Sequence, residues 1–123
     1  MRRSTLLLGF SILILLGPSA WAGDLHSGPL QTRPDNSILC MLRNVGKTAR
    51  SYTITAKIGN AVSEASGIIT PNTSQGAAVE NETGGSIFGF CSFTFNGSRK
   101  KMRATACARD DQFSPCRSAI PAE

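Results

Sequence analysis

The stretch Ile87-Phe88-Gly89-Phe90-Cys91-Ser92-Phe93-Thr94-Phe95 decides how this chain folds. It holds four of the six phenylalanines in the sequence. From Gly89 onward it alternates strictly, so Cys91, Phe93 and Phe95 share one face of a strand and Ser92 and Thr94 the other. A strand this apolar must be central in its sheet.

Working outward, Ile38, Cys40 and Leu42 alternate with Leu39, Met41 and Arg43, which predicts a strand from Ser37 buried on most of both faces. Asn44-Val45-Gly46-Lys47 reads as a turn. Arg50 to Ile58 is amphipathic: Tyr52, Ile54, Ala56 and Ile58 face inward, while Ser51, Thr53, Thr55 and Lys57 face water. Gly59-Asn60 marks a hairpin returning over Ala61 to Ser66, and Pro71 must end any strand near Ile69 because proline cannot donate to a ladder. Gln75 to Glu80 reads as a short strand, followed by a Gly84-Gly85 connection. Asn96-Gly97-Ser98 reads as a second hairpin turn, with Lys100 to Ala108 returning: Met102, Ala104, Ala106 and Ala108 lie on one face, Lys101, Arg103, Thr105 and Cys107 on the other.

The first 22 of the 123 residues read as a cleaved leader. Arg2 and Arg3 form a positive start, Leu6 to Leu16 is too short to span a bilayer, and Ala20-Trp21-Ala22 supplies the small residues a signal peptidase needs. Export follows, with no transmembrane anchor after cleavage. Gly23 to Asn36 carries Gly28, Pro29 and Pro34 without a period and reads as an extended lead-in. The expected organisation is 1–22 leader, 23–36 lead-in, 37–108 one all-β sandwich of about seven antiparallel strands, and 109–123 C-terminal loop and tail. Loss of Arg2 and Arg3 lowers the formal charge from +5 to +3. So mild a balance, on an exported chain, disfavours nucleic acid as a partner.

Four cysteines in a small exported domain imply two disulfides, with three possible pairings. Facing selects among them. Cys40 is in phase with Ile38 and Leu42, and Cys91 with Phe93 and Phe95, so both point into the core and should bond. Cys107 is out of phase with the apolar face of its own strand, which leaves Cys116 in the tail as its partner. No Cys-x-x-Cys pair is present, so neither a zinc site nor a redox dithiol is expected.

Two segments of this chain carry a resemblance. Cys40 to Gly46 with the amphipathic strand to Ile58 and the Ile69-Thr70-Pro71-Asn72-Thr73 turn resembles the front half of immunoglobulin-like sandwich domains in exported bacterial proteins. Phe90-Cys91-Ser92-Phe93 and the basic return strand are similar to segments of small secreted bacterial proteins without an assigned activity. The resemblance spans residues 37 to 106, implies an immunoglobulin-like sandwich, and brings no catalytic residues.

Little in the sequence supports catalysis. His26 is the only histidine and reads as a solvated residue of the lead-in, lacking the neighbours a general base needs. The acidic neighbours Asp110-Asp111 and Glu80/Glu82 read as loop solvation, and two carboxylates fall short of a calcium shell. No cofactor or metal is expected. Asn72-Thr73-Ser74, Asn81-Glu82-Thr83 and Asn96-Gly97-Ser98 match the N-glycosylation pattern, and the bacterial look of the leader leads us to expect them unused. One charge feature stands out: Arg99, Lys100, Lys101 and Arg103. It fits an anionic surface such as a glycan, or a guard against edge-to-edge strand pairing. The expectation is an exported, non-enzymatic module that binds a protein or glycan, with a structural component of an envelope assembly as the alternative.

Overall fold

The computed structural model describes residues 22–110 and 116–122. The expected leader falls outside them except for Ala22, as do Asp111 and the rest of 111–115. The described chain is all-β apart from one 3-10 turn. Its strands are β1 (Ala22–His26), β2 (Leu30–Thr32), β3 (Ser37–Asn44), β4 (Arg50–Ile58), β5 (Ala61–Ile69), β6 (Ser74–Glu80), β7 (Ile87–Asn96), β8 (Met102–Arg109) and β9 (Cys116–Pro121). All pair antiparallel. One sheet runs β1-β7-β4-β5, with β2 also on β7; the other runs β6-β3-β8-β9.

The phenylalanine stretch is central, as its composition demands. β7 is flanked by β4 on one side and by β1 and β2, end to end, on the other. Its inner residues Cys91, Phe93 and Phe95 are buried with Ile54, Ile58, Ile38 and Leu42. Gly89 is the close-approach point of this core: a Cβ there would collide with Ile38 and lie 2.9 Å from Ile58 Cγ1. The β4–β5 hairpin closes in two residues, with Gly59 at φ 58, the left-handed geometry of a type II′ turn.

Both disulfides form as the facing argument requires. Cys40–Cys91 joins β3 to β7 through the core, and Cys107–Cys116 joins β8 to β9 on the outer face of the other sheet.

The structure differs from the sequence reading in three places. The segment read as an extended lead-in contributes β1 and β2, which bury Leu25 and Leu30 against β7. Ser27 bridges them to that strand, its N–H donating to the Cys91 carbonyl at 2.9 Å and its hydroxyl accepting the Cys91 N–H at 2.8 Å. The tail supplies β9, so the strand count exceeds seven. Finally, β7 and β8 are not a hairpin, because β8 pairs with β3 and β9 in the opposite sheet. The connection is too long for a tight turn: after Gly97-Ser98 it coils into a 3-10 turn, Arg99–Lys101. Crossing sheets sets the alanine face of β8 opposite the phenylalanine face of β7, small against large, as close packing favours.

Candidate functional site

The four cations singled out by sequence sit at one end of the sandwich. Arg99, Lys100 and Lys101 form the 3-10 turn, capped by the Ser98 hydroxyl, which accepts the Lys100 N–H at 3.1 Å. Arg103 lies on the outer face of β8, and its guanidinium donates to the carbonyls of Lys100 and Met102, both at 3.0 Å. That clamp holds Arg103 beside the turn.

Strand pairing adds cations that no sequence run reveals. In the β3–β8 register Arg43 stands directly opposite Arg103. Like charges facing each other across a ladder are destabilising, by ~0.2–1 kcal/mol. The neighbouring β3–β4 connection carries exposed Lys47, and Val45 donates its N–H to the Lys101 carbonyl at 2.9 Å, drawing the two loops together. Arg50 opens β4 and donates to the Asn96 carbonyl at 2.9 Å. Residues 43–50, 69–74 and 96–104 at this end hold seven Lys or Arg and no Asp or Glu, while β1, whose Ala22 pairs with Asn96, adds Asp24. Among the described residues, His26 and Asp24 form an ion pair, and no carboxylate pairs with any of the seven.

The loops beneath these cations are fixed by a neutral group. Asn44 is fully buried; its amide donates to the carbonyls of Thr48 and Ile69, each at 2.9 Å, and its oxygen accepts the Gly46 N–H at 2.9 Å. The opposite end has a counterpart in Asn81. Its amide donates to Thr32, Arg33 and Gly85, and its oxygen accepts the N–H and hydroxyl of Thr83. An asparagine so committed cannot carry a glycan in the folded protein, whereas Asn72 and Asn96 are exposed.

Residue His26 lies in a strand rather than in a loose segment, and has neighbours. Its Nδ1 is 3.4 Å from Ser92 Oγ and its Nε2 is 3.5 Å from Asp24 Oδ2. The trio has the composition of a nucleophilic triad but not its setting. The histidine and aspartate are 57% and 63% exposed, so water competes for both contacts. Ser92 lies on a strand flanked on both sides, where ladder bonds occupy its backbone N–H and leave no donor for an oxyanion. The three residues form one polar row on the outer sheet face. Among the described residues, no group of three His, Cys, Asp or Glu side chains could hold a metal ion.

A groove of about 560 Å³ adjoins the cationic turn, with Leu25, Met102, Ala104 and Ala122 at its base and Arg99, Lys100 and Arg103 on its rim. No family model, curated protein or solved structure matches this chain.

Proposed function

We propose that this is an exported, non-enzymatic module that docks an anionic glycan of the envelope or extracellular space through its cationic end. The observation that carries the reading is the gathering of seven cations from two segments, 43–50 and 96–104, at one end, with no acid in either segment. Arg43 facing Arg103 costs stability, and the bonds these two make within the chain, to Ser74 and to the Lys100 and Met102 carbonyls, are with neutral groups. Two disulfides support an oxidising compartment, and an exported protein meets glycans rather than nucleic acid. Among the described residues, no helix is long and apolar enough to cross a membrane.

The immunoglobulin-like reading is likewise ours. It is supported by β3 and β6 sharing one sheet, by β4 and β7 sharing the other, and by the bridge from β3 to β7, which matches the inter-sheet disulfide of antibody domains. It departs from that pattern where β8 lies beside β3 instead of β7.

The test is salt-gradient retention on immobilised heparin, with neutral dextran as control. The protein should be held by heparin alone, and replacing Arg43, Arg99, Lys100, Lys101 and Arg103 by Ser should release it at markedly lower salt. Equal retention of the two proteins, or none of either, overturns the reading in favour of a structural component.

A further inference from the structure

Among the described residues, the four sheet edges are not equally guarded. The β1/β2 edge is broken at Ser27–Pro29, β9 has a register shift near its start and ends in Pro121, and β6 has seven residues. In contrast, β5 runs nine residues in unbroken register with β4 and contains neither proline nor a basic residue. Among the described residues, no strand pairs with its other side. Val62 and Ile68 on its outer face are 56% and 60% exposed. Such an edge is a template for another strand.

Alternation in the ladder determines which backbone groups are free. The Ser51 N–H turns away from β5 to the Asn96 side chain, so Tyr52, Ile54, Ala56 and Ile58 are the β4 residues that bond β5. Their partners are Gly67, Ala65, Ser63 and Ala61. The N–H and C=O groups of Val62, Glu64, Ser66 and Ile68 therefore point outward.

We propose that β5 pairs with β5 of a second copy of this chain, antiparallel about a two-fold axis at Ala65. The sequence of the strand is self-complementary in that register alone. Cross-strand partners must share a face, so the two residue numbers add to an even sum. With Ala65 on the axis, Val62 meets Ile68 of the second copy and Glu64 meets Ser66. Every outward N–H and C=O of the four residues then gains a ladder partner. Sliding two residues one way sets Glu64 against Glu64; sliding two the other way opposes Val62 to Thr70, beyond the end of the strand. The contact is isologous, as a closed dimer requires, and it joins the sheets of two protomers into one.

The register makes its own test, because each substitution counts twice across the axis. Sedimentation equilibrium over a concentration series should show a monomer–dimer equilibrium. Ser66→Glu opposes two carboxylates at two places and should weaken the dimer about tenfold, while Ser66→Lys should tighten it. Ala65→Cys should give a disulfide-linked dimer under air oxidation, since the residues on the axis face each other. Far-UV spectra and non-reducing peptide maps establish that each variant keeps its fold and native disulfides. A monomer at millimolar concentration overturns the proposal, and so does a dimer unmoved by Ser66→Glu or weakened by Ser66→Lys.

Discussion

At one end of the sandwich Asn44 ties the β3–β4 and β5–β6 connections together; at the other Asn81 does the same for the segments around Arg33 and Gly85. The device is shared: a buried amide whose donors and acceptor satisfy loop backbone that has no ladder partner. The charge around each is not. The Asn44 end carries seven cations and, on β1, Asp24, while the Asn81 end mixes Arg33 and Arg109 with Asp35, Glu80, Glu82 and Asp110. Since a neutral amide shapes both ends equally well, the cations at one of them are not needed to build it.

Three perturbations probe that contrast. The largest removes what both ends share: Cys40→Ala with Cys91→Ala should lower unfolding free energy by about 4 kcal/mol, since the bridge closes 51 residues. Urea titration should show both ends melting in one shifted transition. Next, Asn81→Ala leaves several buried partners unsatisfied and should cost about 3 kcal/mol, and Asn44→Ala about 2 kcal/mol. Hydrogen exchange should separate them, with residues 81–86 losing protection in the first and 44–48 in the second. Loss at both ends in either variant would erase the distinction. The smallest effect is Arg103→Gln, which removes the confrontation with Arg43 and should stabilise the protein by about 0.5 kcal/mol in low salt, fading as salt rises. Destabilisation by that change would mean that Arg103 works chiefly through its bonds to Lys100 and Met102.

The strands legible in the sequence are those with an unbroken two-residue period: β3, β4 and β7 face as their side chains dictate, and both disulfides follow from that facing. The N-terminal edge was not legible because Leu25 and Leu30, five residues apart, fall out of phase across Gly28-Pro29. The bond from Ser27 to Cys91, which restores alignment, involves residues 64 apart. The crossing of β8 was hidden for a related reason: Asn96-Gly97 looks the same whether the chain turns back in its own sheet or passes to the other. In the candidate site, the run from Arg99 to Arg103 was visible because it is local. Arg43 joins it only through the β3–β8 ladder, and Lys47 and Arg50 only through loop contacts, and no local pattern reports either.

The one-sided distribution of cations also gives the molecule an electric axis. Eight residues of β3 separate the two ends by roughly 26 Å at ~3.3 Å per residue, well beyond the ~8 Å over which physiological salt screens charge. Neither end therefore neutralises the other. Near a negatively charged layer the protein feels a torque as well as a pull, and it arrives with the 3-10 turn foremost. Orientation before contact speeds capture without lengthening the stay, so the protein should exchange quickly among many sites.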